Sequence, residues 1–174
     1  QRLLLGATLI VTVFLLVAVV LSGQRLRTQL QQLTVAQLAT EARLVAQQWQ
    51  PGTDPDLLAD SAGTALRERV TLVDSGGNVL GDSEFGGAAL AALQNHTDRP
   101  EIVEARRSGM GSSLRLSPSE GAEELYVAVR ADAGRIARVS ITTARLEDIV
   151  SRARRDVMVS ALVALVIAVV FIAS

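Results

Sequence analysis

The 174-residue sequence contains no cysteine, no lysine and a single histidine, His96. The absence of cysteine excludes disulfide bonds, thiol catalysis and thiolate metal sites, and it fits either redox compartment. One histidine cannot build a zinc site without several carboxylates at suitable spacing, and the sequence shows no such spacing. Aromatic residues make up only 3% of the chain, so a core must be built from Leu, Val, Ala and Ile.

Charge is nearly balanced along the chain. The 17 basic residues are all arginine, the acidic residues number 18, and the formal net charge is −1. This balance gives no electrostatic case for nucleic acid as a partner. No candidate nucleophile lies in a recognisable strand-to-helix elbow. We therefore expect no catalytic site and no cofactor in this part of the chain.

Two apolar runs lie near the ends of the sequence. Leu3–Leu21 holds 19 residues without a charge, about 28 Å as a helix, which matches the ~30 Å hydrocarbon core of a bilayer. Val157–Ala173 is a second run in which only Ser160 is polar. The rival interpretation of the first run is a cleaved signal peptide. The apolar region of a signal peptide is usually about 7–15 residues long, which is shorter than this run. We predict two membrane-spanning helices, in a piece of a longer protein.

The segment after the first run is typical of an amphipathic helix. Arg25–Trp49 has no Gly or Pro, and its apolar residues recur at steps of three to five, until Pro51-Gly52 ends the pattern. The apolar stripe has two interpretations, which can both hold: it packs on its own domain, or it pairs with a second subunit. A second helix is predicted from Asp54, with Pro55 in its first turn.

The periodicity then changes to that of strands. The turn residues 75–77 indicate a hairpin, and further turns are predicted at 117–121 and 132–134. In the fourth predicted strand, alternation indicates one buried face and one face of small or amphipathic groups. The predicted strands are 69–74, 78–82, 111–116, 124–131 and 135–142.

The stretch around the histidine contains a predicted helix start. Asp98 followed by Glu101 forms an Asp variant of the capping box, with Pro100 in the first turn, and Gly109 ends the helix. Capping does not explain His96 or Arg99. Two interpretations stay open for His96, a hydrogen bond that fixes the loop and a contact with an anion.

Arginines on the later strands raise the same question. Arg115 on the third strand and Arg130 at the end of the fourth would add positive charge if they faced the same cavity as His96. Guanidinium groups bind carboxylate or phosphate through paired N–H donors. The alternative is that both are solvent-facing strand residues.

Three runs of the sequence resemble a known family. Val70–Ser83 resembles the first hairpin of extracytoplasmic PAS-like domains, also called PDC or single-Cache-like. Asn95–Ile102, which reads Asn-His-Thr-Asp-Arg-Pro-Glu-Ile, and Glu124–Val129 resemble the same domain in bacterial sensor histidine kinases of the PhoR-like type. The similarity covers roughly residues 66–143.

The resemblance implies an α+β fold, with a five-stranded antiparallel sheet, a long N-terminal helix on one face and a pocket or its remnant on the other. It also implies a homodimer and a cytoplasmic HAMP, dimerisation and ATPase region beyond the second span. Members that bind dicarboxylates place basic and hydroxyl side chains at comparable positions. The ligand-binding residues predicted on this basis are His96, Arg99, Ser113, Arg115 and Tyr126.

We accordingly predict the extracytoplasmic signal-sensing and transmembrane part of a two-component sensor histidine kinase, with residues about 22–156 outside the bacterial cytoplasmic membrane. The alternatives are the sensor of a chemoreceptor or nucleotide cyclase, and a non-signalling anchored domain. Predicted partners are the lipid bilayer, a second copy, a small anionic ligand or a periplasmic or membrane protein, and a response regulator through the cytoplasmic region. The predicted segments are the spans 1–22 and 157–174, the long helix 23–50, the sensor domain 51–143 and the connecting helix 144–156.

Overall fold

A computed structural model describes residues 28–117, 121 and 123–142, and a few helical residues beyond them (152, 155–156, 158–160 and 162–163). The described residues of Leu33–Ala144 form one compact unit. The predicted first span lies outside the described residues, as do most of the connecting helix and of the second span. Within the part that is described, no helix is both long and apolar enough to cross a bilayer.

Four helices and five strands make up the described fold. Helix α1 covers 28–48, and the boundaries of the strands agree with the predicted ones to within one residue. A short helix that the sequence pattern did not indicate, α3, follows the first hairpin. In chain order the later elements are α2 (Pro55–Leu66), β1 (Arg69–Val73), β2 (Val79–Asp82), α3 (Gly87–Ala91), α4 (Pro100–Ser108), β3 (Met110–Leu116), β4 (Glu123–Arg130) and β5 (Ile136–Thr142).

The strands form one antiparallel sheet in the order β2-β1-β5-β4-β3, which confirms the predicted α+β class. The register places the alternate residues of neighbouring strands on common faces, because side chains alternate along a strand. One face is apolar and the other carries most of the buried polar side chains. The apolar face includes Val70, Leu72, Leu125, Val127, Ala137 and Val139, and the polar face includes Arg69, Thr71, Asp82, Tyr126, Arg138 and Ser140.

Helices α1 and α2 lie on the apolar face. α2 packs against β1 and β2, and the Gly81 backbone lies against Pro55, so a side chain there would collide with the helix. α1 reaches the same face at β3, where Arg43 contacts the sulfur of Met110. Leu38, Ala42 and Val45 of α1, and Trp49 directly after it, are each at most 3% exposed, which supports packing of the predicted stripe on its own domain.

The start of α2 is as predicted. The Asp54 carboxylate accepts hydrogen bonds from the backbone N–H groups of Asp56 and Leu57, and Pro55 occupies the first turn. Such a cap satisfies N–H groups that have no partner within the helix.

The prediction for the start of α4 is correct for Pro100, which lies in the first turn, and wrong for the N-cap. The N-cap is Arg99, not Asp98, and no side chain bonds to the cap. The predicted capping role of Glu101 is also wrong, because its side chain is fully buried and points to other partners. Gly109 ends the helix in the left-handed conformation, as predicted.

Helix α4 covers one end of the polar face. Ile102 and Ala105 of the helix join Val73, Ala128 and Ile136 of the sheet in a buried apolar cluster. The sequence predicts one covered face for β4, but its residues 124–129 are all buried. The reason is its position, since β4 is an interior strand of the sheet and α4 contacts it on the polar side.

Gly111 allows α4 to approach the sheet. A Cβ atom at this position would collide with the carbonyl oxygen of Glu101 and would lie 2.8 Å from the Ala105 nitrogen. The missing side chain therefore sets the height of α4 over β3, and with it the position of Glu101 above the sheet.

We predict that Gly111→Ala destabilises the fold by about 1–3 kcal/mol, because α4 must move away from β3. Gly86→Ala is the matched control, since nothing lies within 4 Å of the added methyl group, and its effect should stay within about 0.5 kcal/mol. Urea unfolding of the two variants measures the difference. Equal stability of both variants would show that the close approach at Gly111 does not matter.

Candidate anion-binding site

A cavity of about 230 Å³ lies on the polar face of the sheet. It corresponds to roughly eight water molecules at the volume of liquid water. Its wall combines strand residues with the loop that precedes α4. The charged and aromatic lining residues are Arg69, His96, Arg99, Arg115, Tyr126 and Arg138.

Glu101 is the fully buried carboxylate behind this wall. Arg115 donates two hydrogen bonds to it, from Nη2 to Oε1 (2.9 Å) and from Nε to Oε2 (3.4 Å). Ser113 Oγ donates at 2.6 Å and Arg138 Nη1 at 3.3 Å. Burial raises the pKa of Glu101, but the bonds from Arg115 and Ser113 and the charge of Arg138 outweigh it and hold the pKa at about 2. The carboxylate is therefore ionised at neutral pH.

Arg138 extends the network across the sheet. Its Nη2 donates to Thr71 Oγ1 (3.0 Å), and the Thr71 hydroxyl donates to Asp82 Oδ2 (2.7 Å). Arg69 in turn binds both carboxylate oxygens of Asp82, at 3.1–3.2 Å. Burial lowers the pKa of Arg138 while Glu101 raises it, and guanidinium stays protonated in proteins. Strands β2, β1 and β5 and helix α4 are thus joined by one chain of charged bonds.

The ring of Tyr126 lies among these cations. Its centroid is 3.9 Å from the guanidinium carbon of Arg115 and 4.8 Å from that of Arg138. Such contacts between a cation and an aromatic face are attractive, and more so when water is excluded. Burial raises the pKa of Tyr126, Ser117 lowers it through a hydrogen bond, and Glu124 raises it. The ring therefore fixes the direction of both guanidinium groups along the wall.

The loop that carries His96 is held by the first hairpin. The His96 backbone N–H donates to the Gly77 carbonyl (2.7 Å), and Asn95 Nδ2 donates to Gly76 O and Asn78 Oδ1. Gly77 has φ +92°, and a Cβ atom on it would lie 2.6 Å from the backbone nitrogen of Thr97. Glycine therefore permits both the turn and the docking of the loop.

The imidazole of His96 has no bond of its own to the rest of the described chain. The residue is only 7% exposed, and its Nδ1 is buried without a hydrogen-bond partner. Burial and the charges of Arg138 and Arg99 lower the pKa of His96 to about 3, although Glu101 acts in the opposite direction. The ring is therefore neutral, and the loop is fixed through the backbone instead of the side chain.

Arg99 is the lining arginine that none of the described carboxylates binds. Arg69 pairs with Asp82, and Arg115 and Arg138 pair with Glu101. The half-buried Arg99 guanidinium has no ion pair or hydrogen bond with the described residues, yet it lines the cavity. The Arg99 guanidinium is therefore a positive charge of the wall that has no ion-pair partner among the described residues.

Four of the five predicted ligand residues line this one cavity: His96, Arg99, Arg115 and Tyr126. Ser113 lies behind the wall, bonded to Glu101. Arg130 is exposed and donates to the Arg106 carbonyl, so it does not add charge to the cavity. Whether these residues bind a ligand stays a prediction.

Sequence reasoning missed the two deepest arginines of the wall. The sequence pattern assigns Arg69 and Arg138 only to strands. A signal for Arg138 is present, because it lies between Ala137 and Val139 of the apolar face in β5, whereas Arg69 has an apolar neighbour only on one side, Val70. An arginine between apolar neighbours on an interior strand must point to the opposite, buried face.

Comparison with known proteins gives a likeness of fold. No family model and no curated protein matches the sequence. The sensory domain of the Campylobacter jejuni chemoreceptor Tlp3 with isoleucine bound matches at TM-score 0.54 and 12% identity, over 79% of this chain and 66% of that chain. The ligand-binding domain of the Pseudomonas aeruginosa PAO1 amino acid chemoreceptor PctC in complex with GABA matches at TM-score 0.53 and 12% identity, over 80% and 64%.

A third solved structure shares the same architecture. The Bacillus subtilis YkuI protein, with an EAL domain, in complex with c-di-GMP and calcium, matches at TM-score 0.54 and 14% identity, over 70% of this chain and 35% of that one. This chain thus spans between about a third and two thirds of the length of these proteins. The fold of this chain is similar to the folds of these three proteins, and the five-stranded antiparallel sheet with an N-terminal helix is the predicted α+β architecture.

We expect Glu101→Gln to destabilise the fold by about 3–5 kcal/mol, because it leaves the buried Arg138 without its carboxylate. Glu104→Gln on the same helix is the control. Glu104 pairs with Arg107 at 3.2 Å on an exposed surface, and such pairs contribute at most about 1 kcal/mol. Denaturant unfolding at pH 7 compares the variants, and a small loss for both would contradict the role given to Glu101.

His96 makes stability depend on pH. Its pKa is about 3 in the fold and 6.5 when unperturbed, so the unfolded chain binds more protons in that window and stability falls as the pH is lowered through it. Between pH 7 and pH 5 the loss from this group is about 2 kcal/mol. His96→Gln should remove this loss of stability. Glu101 does not titrate between pH 5 and pH 7, because its pKa of about 2 lies well below that range. Unfolding curves of both proteins at the two pH values test this, and parallel losses would contradict it.

Proposed function

We propose that the chain is the signal-sensing and transmembrane part of a sensor histidine kinase of the PhoR-like type, with residues about 22–156 outside the bacterial cytoplasmic membrane. The observation that carries the sensing role is the cavity on the polar face, which is lined by Arg99 and His96, two side chains without a hydrogen bond or ion pair to the described residues. Shared architecture with receptor sensory domains supports it. The apolar runs at both ends support the membrane location.

The proposed stimulus is a small anion that enters the cavity. Glu101 and Asp82 hold three of the four lining arginines in place. The wall is therefore organised before the ligand arrives, so little of the binding energy is lost in ordering side chains. Arg99 then supplies the charge that attracts the anion.

The proposed output runs through β5. Arg138, which lines the cavity, belongs to this strand, and β5 ends at Thr142 just before the predicted connecting helix 144–156. A ligand shifts a two-state receptor only by its different affinity for the two states. We propose that β5 has a different position in the state that binds the ligand more tightly, and that this difference changes the activity of the kinase.

A homodimer, the lipid bilayer and a response regulator belong to the same proposal. α1 presents Leu33 and Leu44 to solvent, at 67% and 51% exposure, whereas its residues Leu38, Ala39, Ala42 and Val45 are buried in the domain. A second subunit that covered these two residues would remove exposed apolar surface from water.

A chemoreceptor is the second candidate, because Tlp3 and PctC are chemoreceptors. The sensing part would be the same and the region after residue 174 would differ. A kinase requires a phosphoacceptor helix and an ATP-binding domain there, so the sequence of that region distinguishes the two.

The full-length protein in right-side-out membrane vesicles, loaded with ATP, tests the proposal. We expect at least one compound among inorganic phosphate, small carboxylates and amino acids, added outside, to change autophosphorylation severalfold. Arg99→Ala should lose the response, because the unpaired cation is gone.

Arg107→Ala is the control for that variant, since Arg107 lies on α4, is exposed and pairs only with Glu104 among the described residues. It should keep both the basal rate and the response. If the protein never incorporates phosphate, the kinase assignment is wrong. If it does so but ignores every compound, direct sensing of a small ligand is wrong.

A further inference from the structure

The two edges of the sheet differ in how well they are protected. Strand β2, at one edge, has four residues, pairs with β1 in an irregular register and packs against α2. Strand β3, at the other edge, has seven residues and pairs with β4 in a continuous register from Met110 to Leu116. Its sequence contains neither proline nor lysine, residues that commonly protect an exposed edge. β3 is therefore the less protected edge.

The hydrogen bonds at the start of β3 show which of its backbone groups point away from the sheet. The Arg130 backbone N–H donates to the Gly109 carbonyl (2.9 Å), so the Gly109 carbonyl faces β4. Successive residues of a strand direct their backbone groups to opposite sides, and the Met110 carbonyl does point outward, where it accepts a bond from Ser108 Oγ (2.7 Å). The same alternation turns outward the N–H and C=O groups of Ser112, Leu114 and Leu116. On that side, these three residues make no backbone hydrogen bond to the part of the chain that the structure describes.

Apolar side chains and one cation border these outward backbone groups. Leu114 lies opposite Leu125 and so belongs to the apolar face of the sheet, yet Leu114 and Leu116 are 39% and 67% exposed. Arg43 of α1 is exposed at the other end of the strand, where it contacts the sulfur of Met110 at 3.8 Å. It forms no ion pair with a described carboxylate. The edge thus combines open backbone groups, an exposed apolar pair and a positive charge.

A second copy of the chain does not fit this edge if both copies are anchored in one membrane, as the proposed function requires. β3 and β5 run in the same direction, because both are antiparallel to β4. Antiparallel pairing of two β3 strands would therefore direct the ends of the two β5 strands, and the predicted connecting helices after them, in opposite directions. Parallel pairing about a two-fold axis along the strands would place the apolar face of one copy beside the polar face of the other.

We propose that the outer edge of β3 binds an extended segment of a partner protein, which joins the sheet as an additional antiparallel strand. The existing ladders of the sheet are antiparallel, and this pairing is slightly more stable per residue than parallel pairing. In strand addition the main-chain hydrogen bonds provide affinity, and alternate side chains provide specificity.

The side chains that border the edge define the chemistry of the partner segment. Directly opposed residues of an antiparallel pair have their side chains on the same face. The segment therefore carries apolar residues opposite Leu116 and Leu114, and an acidic residue opposite Met110, beside Arg43. From its N-terminus the pattern is apolar-x-apolar-x-x-x-acidic.

Two synthetic heptapeptides that differ only in backbone methylation test the proposal. Both read Val-Thr-Val-Thr-Thr-Thr-Glu, with blocked ends. The first is N-methylated at its second, fourth and sixth residues, whose amides point away from β3 in the proposed pairing. The second is N-methylated at its third, fifth and seventh residues, whose amides would donate to β3. Fluorescence anisotropy measures binding to the full chain in lipid nanodiscs. We expect the first peptide to bind at micromolar concentration, and the second to bind at least about tenfold more weakly.

Variants with matched controls assign the side-chain contacts. Leu116→Gln should weaken binding of the first peptide severalfold, whereas Leu57→Gln, at an equally exposed leucine of α2 (67%), should not change it. The first peptide should bind about threefold more tightly than its analogue with Gln in place of Glu. Arg43→Gln should remove that preference, and Arg107→Gln, at an exposed arginine of α4, should keep it.

Other results overturn the inference or a defined part of it. Equal binding of the two methylated peptides, or no binding of the first at millimolar concentration, overturns strand addition. A preference for Glu that survives Arg43→Gln removes Arg43 from the site. The chain has no cysteine, so a Ser112→Cys variant that forms disulfide-linked dimers in membranes would show that a second copy occupies the edge. None of these outcomes affects the response of autophosphorylation to small compounds, so the proposed function is tested separately.

Discussion

The architecture of the polar face depends on one buried carboxylate. Glu101 receives hydrogen bonds from Arg115, Arg138 and Ser113, and it has no exposed surface. Without it, two guanidinium groups would lie within 5 Å of the Tyr126 ring centroid and lose the carboxylate that pairs with both. A buried charge is tolerated only when it is paired and hydrogen-bonded. The carboxylate therefore makes it feasible to build a positively charged wall inside a small domain.

The arginines of the wall fall into two groups, those that pair with a buried carboxylate and one that does not. Asp82 pairs with Arg69, and Glu101 pairs with both Arg115 and Arg138, whereas Arg99 on the loop pairs with none of the described carboxylates. The loop is placed by backbone bonds to the Gly76–Gly77 turn and by Arg106, which donates to Ser75 O and Thr97 Oγ1. The residues His96 and Arg99 thus line the cavity without a side-chain hydrogen bond or ion pair to any residue that the structure describes.

The strands and most helix ends could be predicted from the sequence, but the hydrogen-bonded network around Glu101 could not. Alternation predicted the five strands, and Asp54 and Gly109 marked helix ends correctly, because these signals lie within a few residues of the structure that they specify. The predicted capping role of Glu101 is wrong, because the spacing of residues within a helix carries no information about which strand the helix crosses. The partners of Glu101 come from β3 and β5, up to 37 residues away, and the close approach at Gly111 brings them together.

The position of β5 has a consequence for how the domain is made. This strand comes last in the sequence, yet it lies at the centre of the sheet between β1 and β4. The two hairpins are therefore separate pieces until residues 136–142 insert between them, and Arg138 arrives with the insertion. Such distant pairing slows folding, because loops must close before the contacts form. A chain leaving the ribosome cannot complete the cavity until β5, which carries Arg138, has emerged.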